Sequence, residues 1–291
     1  MYTLFKVELY KIFKRPRTYI AFIAMTALIT IIQLGLKVDG KEYIEFVLGD
    51  LSNTLQIDGK LCNGYFVCFC ILNLLLIHVP LLIALIAGDM ISGEANMGTL
   101  RLLLSKPISR SEFIIAKFLA ATVYTLLLLV WIAFLALFVS MFIFGTDDIF
   151  LVKNNYAVQI AGNDIFWRYV GAFFFAGLAM LTVAAVAFFL SLFAENSIGP
   201  IVATMSVIIV FTIFSTMSIP LFNHIKPFMF TTHMVAWKEF FDVKVNADNE
   251  SIAGSIQRPD KIIKSALVLI AHIVGLVSLS IYFLKKKDIL S

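Results

Sequence analysis

Six long apolar stretches dominate the pattern of hydrophobic and polar positions along the chain. They lie at about residues 18–36, 66–88, 113–144, 166–193, 198–220 and 265–284. A helix needs about 20 apolar residues to cross the hydrocarbon core of a bilayer, and each stretch is close to that length or longer. Because the apolar runs are unbroken rather than alternating, they indicate helices and not barrel strands. The pattern predicts an all-α polytopic membrane protein, with six transmembrane helices in a single domain of residues 1–291.

The composition agrees with a chain whose main solvent is lipid. Hydrophobic residues make up 60% of the 291 positions and charged residues only 14%, and the mean hydropathy is +0.94. A soluble globular domain carries about 25% charged residues, so the composition excludes that class. The first apolar stretch has full span length and no small-residue cleavage pattern after it, which favours a membrane span over a secretory signal.

The positive charges are clustered before the first span, between the second and third spans, and after the last span. They are Lys6, Lys11, Lys14, Arg15, Arg17, Arg101, Lys106, Arg110, Lys117, Lys285, Lys286 and Lys287. The positive-inside rule places such alternate loops in the cytoplasm. We therefore expect a multi-pass protein of the cell (inner) membrane with both termini cytoplasmic. Loops 37–65, 145–165 and 221–264 then lie outside, the last as a long outer loop with a partly membrane-dipping first half.

Residues 1–17 have the pattern of an amphipathic helix rather than a span. The apolar positions recur near helical spacing, and charged residues, Glu8 among them, fill the gaps; the apolar positions are Leu4, Phe5, Leu9, Ile12 and Phe13. Such a helix lies in the interface plane. Pro16 marks the elbow at which the chain turns into the membrane.

The loop at 89–112 interrupts the apolar pattern with basic residues and a proline. An Arg or Lys at the bilayer centre costs about 2.5–3.5 kcal/mol, so the segment stays in water. Leu100, Leu103 and Leu104 stand at i, i+3 and i+4 and predict an apolar stripe on a short helix that Pro107 ends. The following S-R-S-E at 109–112 fits a capping box, which predicts that the third helix begins there.

This loop resembles that of a known family. Residues 90–110, MISGEANMGTLRLLLSKPISR, and Lys117 after them resemble the loop between the second and third spans of ABC-2 type permeases. The resemblance implies the transmembrane subunit of an ATP-binding cassette transporter, an exporter, in which two permease subunits form a homodimer or heterodimer and each seats a coupling helix on a separate ATPase. The coupling residues carried over are Glu94, Gly98, Thr99, Leu100, Arg101, Leu104, Pro107 and Arg110. The leucine stripe would enter the ATPase groove, and Arg101 and Arg110 would pair with its acids or with lipid headgroups.

The resemblance also implies a central path between the two subunits, lined by the second and fifth spans. The residues that this path would implicate are Asn73, His78, Thr212, Ser215 and Thr216. Ionisable groups inside a membrane are functional candidates. For His78, packing against a neighbouring helix close to Pro80 is the alternative interpretation.

The sequence contains no set of residues typical of an enzyme. Residues 35–41, GLKVDGK, fit G-x-x-x-x-G-K, but Glu42 replaces the Ser or Thr that holds magnesium, which favours an ordinary turn. The three cysteines, Cys62, Cys68 and Cys70, are expected as small residues of a helix, and a soft-metal site with ligands from elsewhere is the alternative. The spacing of the outer Met and His residues fits no compact metal site. We expect a transport subunit that is not itself an enzyme. It should bind no cofactor, metal or nucleic acid, because ATP and Mg are expected on the partner ATPase. Membrane lipid should surround the spans. An ion-gradient-driven secondary transporter or channel is the alternative; the substrate itself is not indicated by the loop.

Overall fold

A computed structural model of the chain describes residues 1–48, 61–105, 107–153, 156–246 and 251–287. Most of these residues are helical. The α-helices are α1 (Tyr2–Lys14), α2 (Pro16–Leu48), α3 (Gly64–Ala87), α4 (Asp89–Asn96), α5 (Thr99–Leu104), α6 (Arg110–Ala133), α7 (Ser140–Phe144), α8 (Phe166–Ser191), α9 (Ile198–Thr216), α10 (Phe230–Met234) and α11 (Pro259–Lys286). A short π-helix, Phe134–Val139, joins α6 to α7.

The long helices account for all six apolar stretches. Five helical segments of the described chain are long and apolar enough to cross a membrane: Pro16–Phe46, Arg110–Phe144, Gly162–Ser191, Ile198–Thr216 and Pro259–Lys286. The remaining stretch, α3, is bent by 53° between Gly64–Leu75 and His78–Ala87, and it makes a sixth span if the two pieces count as one. The chain is therefore a largely helical, multi-pass membrane protein.

The bend in α3 has a simple backbone cause. Pro80 lies inside the helix, and proline has no N–H to donate to the carbonyl four residues earlier, at Leu76. The hydrogen-bond ladder therefore lacks a rung at the place where the helix bends. His78 is the first residue of the second piece, directly after this break.

One end of the bundle, here called the α1 end, gathers α1, α4, α5, the α8–α9 turn and the end of α11. Arg15 ends α1 in extended conformation, and Pro16 is the first residue of α2, where a missing N–H leaves no helical bond unmade. The chain thus turns sharply, and α1 packs back against α6. This is the turn that Pro16 predicts.

Helix α8 lies at the centre of the bundle and packs against α3, α6, α9 and α11. In its most apolar stretch 61% of the residues are buried, against 11% in α9. Along α9 only Pro200 and Thr204 are buried. Helix α9 therefore presents most of its surface outward from the single chain.

The opposite end, here called the hairpin end, contains a β-hairpin that the sequence analysis missed. Strands β1 (Ile149–Lys153) and β2 (Tyr156–Ile160) pair antiparallel. Ile149, Leu151, Val158 and Ile160 point inward and are buried. Residues 145–165 are thus partly sheet rather than loop alone.

The predicted dipping segment after span five is a series of short helices. They comprise three 3-10 helices, Pro220–His224, Lys226–Phe228 and Val235–Phe241, together with α10. Phe230, Trp237 and Phe241 of this segment are buried in the core of the chain. The fully buried Arg168 of α8 fastens it, donating to the Phe240 carbonyl over 2.7 Å.

Candidate functional site

The loop between α3 and α6 folds as two short helices at the α1 end. Helix α4 ends at Asn96, and Gly98 has φ +68°, a left-handed conformation that residues with a side chain rarely adopt. This turn starts α5 one residue later. After α5, the Ser109 hydroxyl accepts a hydrogen bond from the Glu112 N–H at 3.1 Å, so α6 begins with the predicted serine cap.

Glu94 of α4 lies at the centre of a buried group of charges. Its carboxylate accepts hydrogen bonds from Lys11 at 2.8 Å and Lys117 at 3.3 Å, and it also accepts one from the Thr99 hydroxyl of α5. The residue is only 3% exposed. One side chain of the loop is thus bonded to α1, α5 and α6 together.

Glu8 completes this group from α1. Its carboxylate lies 2.7 Å from the ammonium of Lys117 and 3.0 Å from that of Lys11. The four-charge cluster, defined as Glu8, Lys11, Glu94 and Lys117, carries two negative and two positive charges and so is balanced. Balance is what permits burial, because a buried ion without partners costs several kcal/mol.

The electrostatics of the cluster favour ionised Glu94. Burial alone would raise the pKa of the Glu94 carboxyl, but the charge of Lys117 and the hydrogen bonds from Lys11 and Thr99 outweigh it and lower the pKa from 4.5 to about 2. Burial would lower the pKa of the Lys11 ammonium, yet hydrogen bonds to Glu94 and Glu8 leave it raised. Both residues are therefore charged at neutral pH.

Asp89, at the start of α4, forms a second buried contact point. Its carboxylate is bonded by Arg15 and Arg17, on either side of the α1–α2 elbow, and by the hydroxyl of Ser197, just before α9. The residue is 4% exposed. This Asp89 cluster, defined as Asp89, Arg15, Arg17 and Ser197, joins the loop to the first and fifth spans.

Arg110, expected to pair with acids of the ATPase or with lipid headgroups, makes its described hydrogen bonds within its own chain. Its guanidinium donates to the main-chain carbonyls of Leu284, Lys285 and Lys287, at distances of 2.6–3.2 Å. Carbonyls at a helix C-terminus are unsatisfied within the helix and carry partial negative charge. Arg110 therefore caps α11 of its own chain, and these donors do not face a partner or a headgroup.

The leucine stripe of α5 also faces differently from the expectation. Leu100 is 7% exposed within the core, and Leu103 is partly buried against that core, so these two leucines turn toward their own chain. The backbone of Leu104 lies in α5, but its side chain is outside the described part. The outward face of the loop, here called the α5 face, consists of Met97, Arg101 and Leu102, all exposed, with Leu102 at 68%.

The residues implicated in a path do not form one cluster. Asn73, His78 and Thr216 each bond a carbonyl of their own helix three or four residues earlier. The exposure of the side chains differs: His78 is exposed, whereas Asn73 is half-buried. The exposed face of α9 also carries Thr212.

Ser215 differs from these residues because it bonds outside its own helix. Its hydroxyl is 2.8 Å from Thr232 and 3.1 Å from Thr231, both in α10. It therefore joins the fifth span to the segment that follows it, rather than facing outward.

Two other sequence features receive a structural account. Residues 35–41, expected to form a turn, lie instead inside α2, in which Asp39 has non-helical backbone angles. The expectation is wrong because the helix continues beyond the apolar stretch. None of the three cysteines, all of which lie in the described ranges, forms a disulfide. Within the described ranges, no group of three or more His, Cys, Asp or Glu side chains could hold a metal ion.

Sequence reasoning missed the importance of Glu8 and Asp89. A signal was present for Glu8, because it lies three residues after Phe5 and four before Ile12, on the apolar face of α1. A carboxylate on the apolar face of an amphipathic helix predicts a buried ionic partner. Asp89 had no comparable signal, since its partners come from two segments distant in sequence, the α1–α2 elbow and the start of α9.

The fold and this site together define a polytopic α-helical membrane protein with a short helical loop anchored by buried charges at one end. A family model described as ABC-2 family transporter protein matches residues 2–289. The chain therefore belongs to the ABC-2 family of transporter proteins, as a permease. No curated protein matches it.

Proposed function

We propose that this chain is the permease subunit of an ABC exporter, with its α1 end in the cytoplasm and the α5 face docked on a separate ATPase. The observation that carries the proposal is the attachment of the loop to three spans. Glu94 bonds Lys117 at the start of the third span, and Asp89 bonds both the elbow of the first span and Ser197 before the fifth. A push on the loop therefore reaches these helices together.

The four-charge cluster and the Asp89 cluster can transmit a movement of the loop to the spans because breaking their buried ion pairs costs much free energy. Removing one partner of a buried ion pair typically costs about 3–5 kcal/mol. A displacement of α4 and α5 will therefore carry α1 and the start of α6 along as a unit, rather than sliding past them. In this mechanism Gly98, Thr99, Leu100 and Pro107 shape the loop, and Glu94 and Asp89 connect it to the spans.

The contact with the ATPase is assigned to the α5 face. Met97 and Leu102 offer exposed apolar side chains, and Arg101 offers a guanidinium, a group that pairs well with carboxylates. An acidic or mixed groove on the ATPase fits this chemistry. ATP and Mg belong to that partner, and this chain contributes no catalytic residue.

A second copy of a permease completes the proposed transporter. The outward surface of α9, with Thr212 and Thr216, and the exposed His78 of α3 would face the other subunit and line the path between the two. The low burial of α9 in the single chain supports this arrangement. The chain would lie in the inner membrane, and the clustered positive charges at the α1 end support a cytoplasmic position for both termini.

The rival function, an ion-gradient-driven transporter or channel, would favour carboxylates buried near the middle of spans. In the part of the chain that the structure describes, the buried carboxylates lie away from the middle of the long apolar helices, in α1, in α4, before α8 or in the segment after α9: Glu8, Asp89, Glu94, Asp164, Glu239 and Asp242. They are placed to hold segments together rather than to relay ions. This distribution supports the ABC permease.

The α5 face supplies the decisive experiment. We expect Arg101→Glu and Leu102→Asp to leave the full-length chain folded in the membrane and to abolish co-purification of its ATPase partner. Glu195→Lys, a charge reversal at an exposed residue of the α8–α9 turn, is the matched control and should keep the ATPase bound. Unchanged ATPase binding and stimulation in both variants would refute the docking assignment.

A further inference from the structure

Three exposed tyrosines at the α1 end each hold a lysine ammonium over the ring. The Nζ of Lys6 lies 4.5 Å from the ring centre of Tyr2, and that of Lys14 lies 5.5 Å from the ring centre of Tyr10. At the end of α11, Lys286 stands 4.6 Å from the ring centre of Tyr282. In every case the lysine follows its tyrosine by four residues, which places both on one helix face.

On α1 the two pairs form a continuous row. Tyr2, Lys6, Tyr10 and Lys14 recur every four residues and extend over ~18 Å of helix. Tyr2 is 69% and Tyr10 62% exposed, and Val7 beside them is also exposed. The outward face of α1 is therefore aromatic and basic, while Glu8 and Ile12 face inward.

Within the described residues, no carboxylate forms an ion pair with Lys6 or Lys14. Lys11, Arg15 and Arg17 are committed to Glu94 and Asp89. The one acid of α1, Glu8, is buried against Lys117. The outward surface of α1 thus offers ammonium groups and phenol hydroxyls but no carboxylate.

We propose that the three tyrosine–lysine pairs are binding sites for the headgroup phosphates of anionic phospholipids. The ammonium supplies the charge, the phenol hydroxyl supplies a hydrogen-bond donor, and the ring holds the lysine in place. Tyrosine and lysine are the residues that anchor helices at the membrane interface. An anionic lipid is preferred over a zwitterionic one, whose own cation competes with the lysine.

The lipid occupant is favoured by where the pairs lie. Tyr282 lies in the last turns of α11, where a span would enter the headgroup region, and α1 packs alongside α6. The cytoplasmic leaflet is the one rich in anionic lipid, and the α1 end is the end we assign to it. Binding by the chain alone is independent of the ATPase, so this inference can be tested whether or not the α5 face docks one.

The test compares lipid binding to the full-length chain in non-ionic detergent. Phosphatidylglycerol and phosphatidylcholine with identical acyl chains are titrated, and bound lipid is counted by native mass spectrometry. The triple variant Lys6→Gln, Lys14→Gln, Lys286→Gln should lose preference for phosphatidylglycerol by about fivefold per lysine. The preference of the unmodified chain should also weaken as salt is raised.

Two further variants separate the pairs from net charge. Lys37→Gln, Lys41→Gln, Lys264→Gln removes the same three charges from other exposed positions and should retain the preference. Tyr2→Leu, Tyr10→Leu, Tyr282→Leu keeps the charge and should weaken it. The proposal would be overturned if the control lysine variant lost the same preference for phosphatidylglycerol, if the tyrosine variant lost none of it, or if salt did not weaken it. A Lys6, Lys14, Lys286 triple variant that kept its lipid preference but no longer bound the ATPase would also overturn it.

Discussion

Lys117 places its ammonium 2.7 Å from the carboxylate of Glu8, although the two residues are 109 positions apart. Both side chains are almost completely buried, at 1% and 2% exposure. Lys117 also contacts Glu94 at 3.3 Å. One lysine at the start of a membrane span thus contacts two carboxylates from other helices, and its removal leaves Lys11 as the remaining lysine of the four-charge cluster.

Lys117→Met is expected to destabilise the chain strongly. It leaves excess negative charge in a buried site, and breaking such a pair costs about 3–5 kcal/mol. Chemical unfolding in detergent micelles measures the loss. Because Glu8→Gln removes one of the two acids, the double variant should lose less than the sum of the single variants. Additivity within about 0.5 kcal/mol would contradict a direct interaction.

The ionisation of Glu94 predicts a stability that depends on pH. The folded-state pKa of about 2 lies below the ordinary value of 4.5, so the stabilisation is fully present above pH 4.5 and disappears as the pH falls toward 2. Glu94→Gln should flatten the unfolding curve against pH within this window.

The exposed Glu195 supplies the control for this measurement. Glu195→Gln should leave the pH dependence of unfolding as it is in the unmodified chain. If Glu94→Gln and the unmodified chain lose stability in parallel between pH 4.5 and 2, Glu94 is not the titrating group.

Asp89→Asn is expected to loosen two distant segments together. It weakens the bonds to Arg15 and Arg17 at the elbow and to Ser197 before α9. Amide hydrogen exchange should therefore speed up in α1 and in the first turn of α9, with α11 unaffected. Asp260→Asn, at an exposed position in the first turn of α11, is the control. Faster exchange in α1 without any change in α9 would show that the Asp89 cluster does not join them.

The spans were predictable because their signal is long and continuous. Each apolar stretch coincides with a helix, and the differences lie at the ends, as in α2, which runs on to Leu48. The β-hairpin was missed because its inward residues Ile149, Leu151, Val158 and Ile160 form two short alternating runs. Alternation over five residues is a weak signal beside apolar runs of twenty or more.

The candidate site was predictable in its local features and not in its contacts. Ser109 caps α6 as its spacing indicates, since capping depends on neighbours in sequence. The orientation of α5 and the use of Arg110 depend on α4 and α11, which no local pattern reports. Tertiary packing therefore turned Leu100 inward and left Leu102 outward.

Arg168 provides the last prediction, at the hairpin end. This fully buried guanidinium bonds Asp164 at 2.6 Å and the carbonyls of Phe240 and Ser255 at 2.7 and 2.9 Å. Lysine keeps the positive charge but lacks the forked N–H donors with which arginine reaches three acceptors. Arg168→Lys would therefore leave buried acceptors without a hydrogen bond. We expect it to lower the free energy of unfolding by about 2 kcal/mol or more. It should also speed proteolysis around Ser255. Arg258→Lys, at a half-exposed residue that contacts Glu239 at 3.2 Å, should change stability by less than about 1 kcal/mol. If Arg168→Lys were as stable and as protease-resistant as the unmodified chain, the buried guanidinium would not be what holds the segment after span five in place.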